Sequence, residues 1–181
     1  IIREKGKLVA AKRADRNTHE GAVRAAVLGN KAVMVCLGCE TDFVSKNAEF
    51  QALVDSVLAA AVANLPADAE ALKASKMADG RTVEEAITEQ TGKTGEKHEL
   101  VNYAYVEAPF IVSYIHSLNG KLGALVGFNK EVPADLAKGV AMQVASMNPV
   151  SISAADCPAA VVEQERAVAI EKTKEEQIQK A

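Results

Sequence analysis

Ala22-Val-Arg-Ala-Ala-Val-Leu28, then Gly29-Asn30, then Lys31-Ala-Val-Met-Val-Cys-Leu37 is the stretch that decides the fold. Two runs rich in apolar and β-branched residues flank a Gly-Asn pair. Both residues of that pair accept positive φ, so the chain can reverse there as a tight antiparallel hairpin. A helix is expected next. Phe50, Leu53, Val54, Val57, Leu58, Ala61 and Val62 recur at i, i+3, i+4, i+7, i+8, i+11 and i+12, an apolar stripe along one helical face. Leu65-Pro66 ends it.

The layout then recurs. Phe110–Leu118, Asn119-Gly120 and Lys121–Phe128 form a second hairpin pattern, since Asn-Gly is the strongest two-residue hairpin signal. Its helix opens at Pro133, with Asp135 in the first turn. Leu136, Val140, Val144 and Met147 are its expected buried stripe, and Asn148-Pro149 closes it. A degenerate repeat of hairpin and amphipathic helix implies an α+β fold. Two small subdomains are expected, each an antiparallel β-sheet packed with helices. Between the repeats, Ala69–Met77 reads as a short helix. Thr82–Gln90 reads as another, with Thr82 and Glu85 spaced as a capping box. Gly92-Lys-Thr-Gly95 reads as a mobile loop, and Leu100–Glu107 as a third strand for the first sheet.

The second sheet shows only two strands, which is marginal alone. A third is expected from beyond Ala181 or from a partner. Asp156 is the expected cap and Pro158 the first turn of a last helix, almost wholly polar from Glu171 onward. Such a helix is expected to project and pair with another, as half of a helical hairpin or by self-association. The expected divisions are a basic helical lead-in at 1–18, a core subdomain at 19–108, a second and incomplete one at 109–155, and the first hairpin arm at 156–181. Ile1-Ile2-Arg3 and Lys180-Ala181 both read as helix interior, as if cut from a longer chain.

Composition narrows the function. Of 181 residues, 49% are hydrophobic, enough for a sizeable core, and the net charge is only −3. Residues 1–16 are basic, with Arg3, Lys5, Lys7, Lys12, Arg13 and Arg16 against Glu4 and Asp15. A solvated helix explains that arm; the alternative is an RNA-binding accessory role for it. No apolar run approaches the roughly 20 residues that span a bilayer, so no membrane partner is expected. Three cysteines, an odd number with no disulfide framework, fit a reducing cytoplasm.

The candidate chemistry is sparse. Cys36-Leu-Gly-Cys39 has redox or zinc spacing, but His19, His98, His116 and Cys157 supply no second ligand pair. A thiol-redox role for Cys36 and Cys39 is the alternative this pair keeps open. Gly92-Lys93-Thr94 imitates the end of a phosphate loop, yet Ile87 stands where the pattern needs Gly. No catalytic residue, metal, cofactor or direct nucleotide binding is therefore expected, and the chain does not read as an enzyme. Thr41-Asp42-Phe43-Val44 follows a strand and precedes Ser45-Lys46-Asn47, read as a helix start. In a connecting loop of this kind, Phe43 is either an exposed anchor or packed under its own helix.

Cys39-Glu-Thr-Asp-Phe-Val-Ser-Lys-Asn-Ala-Glu-Phe50 closely resembles the signature of bacterial elongation factor Ts. Gly6–Lys12 with Glu20-Gly21, Tyr114–His116 with Gly120–Val126, and Ala141–Pro149 resemble that family in the same order. Ser45 replaces the usual Ala, and residues 76–97 look longer than in well-known members. The resemblance implies a guanine-nucleotide exchange factor of translation elongation that binds elongation factor Tu and promotes GDP release. It implies that Thr41, Asp42, Phe43 and Val44 reach toward the partner's magnesium site, with Phe43 as a wedge and Asp42 beside it. It also implies that His116, on the first strand of the second subdomain, meets another domain of elongation factor Tu.

Overall fold

The computed structural model describes residues 2–117 and 120–179. Helix α1 (Ile2–Lys12) leads into β1 (Glu20–Leu28) and β2 (Lys31–Cys39). Leu28 pairs with Lys31 and Gly29 takes φ +64°, so Gly29-Asn30 is the tight reversal expected of it. Four helices follow: α2 (Asp42–Ser45), α3 (Ala48–Asn64), α4 (Ala69–Ala74) and α5 (Val83–Thr94). Strand β3 (Glu99–Glu107) then adds antiparallel to β2, giving the order β1-β2-β3. A second antiparallel sheet pairs β4 (Phe110–Ile115) with β5 (Gly123–Phe128). Helix α6 (Ala134–Met147), a 3-10 turn (Ala154–Asp156) and α7 (Ala159–Gln179) complete the chain. This is the expected α+β architecture, with two small antiparallel sheets and a C-terminal helix. The chain falls into two compact units, residues 1–146 and 147–181.

The core follows from strand alternation. Val33, Val35, Leu37 and Cys39 lie on one face of β2 and join Phe50, Leu53, Val54, Val57 and Ala61 of α3. Met34 and Val23 lie on the other face and meet β5, where a Cβ added to Gly123 would sit 3.0 Å from Met34 Cε. The first sheet is thus covered on both sides, which is why β2 is an almost unbroken apolar run. Each fully buried Val, Leu or Phe contributes about 1.5–3 kcal/mol over its exposed state.

Several local expectations change. Helix α5 has the capping box at Thr82 and Glu85, but it runs through Gly92-Lys93-Thr94 and stops only at Gly95 in the left-handed region. The stretch read as a loop is helical because α1 packs across it. A Cβ on Gly6 would lie 2.1 Å from Thr88 O, and one on Gly92 2.7 Å from Ile2 O. That close crossing offsets the roughly 1 kcal/mol that glycine costs inside a helix. Helix α4 stops at Ala74 rather than Met77, because Lys76 bridges to Thr82 and Met77 N–H donates to Arg81 O at 2.8 Å.

The second hairpin does not turn on two residues. Pairing ends at Ile115–Gly123, and Leu118 and Asn119 lie outside the described residues. His116 N–H donates to Leu122 O at 2.8 Å and Gly120 N–H to His116 O at 2.9 Å, closing a wider connection. On α6 the buried residues are Ala137, Ala141 and Ala145, not the expected stripe. Leu136 is 63% and Met147 72% exposed, with Val140 also exposed. Nor does Asp156 cap α7. It accepts from Ser153 Oγ at 2.6 Å within the 3-10 turn, and Pro158 O takes the first helical N–H groups.

Candidate partner-binding site

Thr41–Val44 is not the loose connection expected from the sequence. Asp42–Ser45 is a single helical turn with Thr41 as its cap, and α3 itself begins only at Ala48, capped by Asn47. Thr41 Oγ accepts from Val44 N–H at 3.4 Å, and Thr41 O accepts from Ser45 N–H at 3.1 Å. The four residues divide by side. Val44 is half-buried and packs against the core, and Thr41 faces inward. Asp42 and Phe43 face solvent, Phe43 with 84% of its surface exposed. Seven residues on, Phe50 is fully buried and fills the space under α3, so Phe43 does not pack beneath its own helix.

The turn is held from behind. Thr41 donates twice to Glu96 in the α5–β3 connection, from N–H to Oε2 at 3.1 Å and from Oγ to Oε1 at 2.6 Å. Glu40 accepts the Lys97 N–H at 2.6 Å and the Arg13 guanidinium at 2.7 Å. Burial works against the charge on Glu40, but the Lys97 N–H and Arg13 outweigh it and hold the carboxyl below its ordinary value. Past the turn, Gln51 Nε2 donates to Ser45 O. Asp42 pairs with Lys46 at 2.8 Å, four residues on, and the Lys46 hydrogen bond lowers the carboxyl's pKa. That i,i+4 spacing was readable in the sequence.

Beside Asp42 lies a hollow of about 520 Å³ lined by Glu20, Arg24, Lys46, Gln51 and Lys121 among others. Its charges are mixed and paired: Lys121 with Glu20, and Arg24 with Asp55. Lys121 arrives on the β4–β5 connection, which Val23 N–H anchors by donating to Gly120 O at 2.8 Å. His116 starts that connection, one residue past the strand on which it was expected. Its ring is fixed by Tyr114, whose hydroxyl lies 2.9 Å from Nδ1.

The Elongation factor TS family model matches residues 40–181, from the residue before this turn to the last residue. The chain belongs to the elongation factor Ts family. It is 50% identical over all 181 residues to elongation factor Ts of Phocaeicola vulgatus and 48% to that of Bacteroides thetaiotaomicron. Both alignments cover 54% of the relative's length. Elongation factor Ts of Porphyromonas gingivalis is 45% identical over 175 residues, 97% of this chain and 64% of the relative. The chain therefore spans about half the length of the first of these relatives.

Within this member of the elongation factor Ts family, the cysteines are poorly placed for thiol chemistry. Cys36 and Cys39 are free and three residues apart on one strand, so they point to opposite faces. Burial pushes the Cys39 thiol up to about 12 and raises Cys36 as well, which suppresses the reactive thiolate. Among the described residues, no three of His, Cys, Asp and Glu gather as a metal site, and no helix is long and apolar enough to cross a membrane. Of the basic arm, α1 is docked on α5, and Arg13 is committed to Glu40. Sequence reading missed Glu40, Arg13 and Glu96 as supports of the turn, because their partners lie 27 and 55 residues away.

Proposed function

We propose that this chain is the central part of a cytoplasmic guanine-nucleotide exchange factor that binds elongation factor Tu and promotes release of its GDP. Family membership supports the partner, and the exposed Phe43 ring on a braced turn carries the reading. A nucleoside diphosphate in such a partner is held by backbone amides, a Lys and Mg²⁺. Mg²⁺ demands near-ideal octahedral geometry, so a small displacement of its ligands costs much affinity. A large apolar ring on a rigid turn is suited to pry at such a site, with Asp42 offering a carboxylate beside it. His116 and the β4–β5 connection form a second contact to another domain of the partner. The exposed α7 pairs with a further helix, in this chain or in a second copy.

No bond is made or broken by the factor in this scheme, and it is not an enzyme. Its effect is a coupling free energy: it weakens GDP binding by as much as GDP weakens its own. A coupling of about 3 kcal/mol corresponds to roughly a hundredfold in affinity. The test is release of fluorescent GDP from elongation factor Tu. The full-length protein is expected to accelerate release in a saturable way, and Phe43→Ala and Asp42→Ala to lower that acceleration sharply. A wild-type protein that leaves the release rate unchanged contradicts the proposal.

A further inference from the structure

The surfaces that support the Phe43 turn converge on one short segment. Residues 95–98 join α5 to β3, and there the Glu96 carboxylate and the Lys97 N–H both reach back to the start of the turn. Glu96 takes both Thr41 donors, the N–H at 3.1 Å and the hydroxyl at 2.6 Å. Lys97 N–H donates to Glu40 Oε1 at 2.6 Å, and Lys97 Nζ donates to Ala14 O and Arg16 O, each at 3.1 Å. Glu96 is itself fixed. Its N–H donates to Thr94 Oγ at 3.2 Å, and its carbonyl lies 2.9 Å from Nδ1 of the buried His98. A carboxylate accepting two donors from one residue defines that residue's position and its orientation. Thr41 is the cap on which the helical turn is built, so its orientation sets the direction in which Phe43 leaves the surface.

We propose that Glu96 is a positioning residue for nucleotide release, setting the angle of the Phe43 ring through its two-point hold on Thr41. The proposal rests on the exchange function stated above. Glu96 sits behind the turn, half-buried, and does not share the exposed face of Asp42 and Phe43. Its loss therefore leaves the docking surface in place and lets the ring swing. In an exchange assay that is a loss of maximal rate with little change in the concentration of factor giving half-maximal rate.

The experiment uses the full-length protein and fluorescent GDP on elongation factor Tu, titrating each factor to saturation. Glu96→Ala is expected to lower the maximal release rate about tenfold, equivalent to about 1.4 kcal/mol of lost coupling. Its half-saturating concentration should stay within about twofold of wild type. Glu96→Gln should restore most of the rate, since an amide can accept the Thr41 N–H and donate to its hydroxyl oxygen. Glu96→Ala should cost less in a Thr41→Val background than in wild type, because Thr41→Val has already removed the hydroxyl's bond to Glu96 together with the cap on Val44 N–H. If Glu96→Ala proves unstable, Glu96→Asp, whose shorter side chain cannot reach both Thr41 donors, carries the same comparison against Glu96→Gln.

The proposal is overturned if Glu96→Ala keeps the wild-type maximal rate while Phe43→Ala loses it. A loss confined to the half-saturating concentration, or one that Glu96→Gln does not relieve, also overturns it. A wild-type factor that fails to release GDP removes the exchange reading and this proposal together. The Phe43→Ala arm keeps the two failures apart.

Discussion

The two hairpin-and-helix units share one sequence pattern and use it in opposite ways. In the first, large apolar side chains of α3 go into the core: Phe50, Val54 and Val57 are fully buried against Val33, Val35 and Leu37. In the second, α6 buries Ala137, Ala141 and Ala145 and leaves Leu136, Val140 and Met147 exposed. The first unit also has helices on one face and the second sheet on the other. The lesson is that a period of 3.6 shows that a helix is amphipathic, while the size of its neighbours decides which face is buried. Small residues let a helix approach closely, and large ones are then left for other surfaces.

The largest break in this comparison is expected in the first unit. Phe50→Ala removes a fully buried ring that also lies 5.6 Å from the His98 ring. It should cost about 3–5 kcal/mol in chemical denaturation. Gly6→Ala comes next. Its methyl would meet the Thr88 carbonyl at 2.1 Å, and backbone cannot yield as a flexible side chain can. A loss of about 1–3 kcal/mol is expected, with faster amide exchange in α1 marking its release from α5.

A pH effect of intermediate size is expected from His98. His98 is buried, and desolvation lowers its pKa, opposed only in part by the Glu96 carbonyl. The Glu96 carbonyl fixes the proton on Nδ1, leaving Nε2 as a buried acceptor with no hydrogen-bond partner among the described residues. The unfolded chain therefore takes up a proton near the ordinary histidine value while the folded chain resists it. Stability should be level above about pH 6.5 and fall as pH drops below it. Melting curves between pH 5 and 7.5 check this, and His98→Phe should flatten that part of the profile.

The smallest effect is expected in the second unit. Leu136→Ala should change stability by no more than about 0.5 kcal/mol, as for other exposed positions. A loss comparable to that of Phe50→Ala would break the contrast and place Leu136 in a core.

How much of this was legible follows from the range of the interactions involved. Gly29-Asn30, the α3 stripe and the Thr82–Glu85 box are local signals, each written within a few residues, and the structure keeps them. The α6 face was misread because alanines do not stand out beside Leu136 and Val140. Gly92-Lys93-Thr94 was misread because its composition suggests a turn, while its helical state depends on Gly6, more than 80 residues away. The Phe43 turn was legible as a position, but the sequence left open whether the ring is exposed or packed under its helix, and it did not show a helical turn. Its brace on Glu96 crosses 55 residues and has no sequence pattern of its own.

Phe43 and Phe50 compress the whole contrast into one helical neighbourhood: one ring is 84% exposed and the other fully buried. The most direct test is a paired measurement on Phe43→Ala in the full-length protein. Its melting temperature and its acceleration of GDP release from elongation factor Tu are compared with wild type. The account predicts an unchanged melting temperature, within the roughly 0.5 kcal/mol expected of a surface change, together with a large loss of exchange. Exchange at the wild-type rate would contradict it.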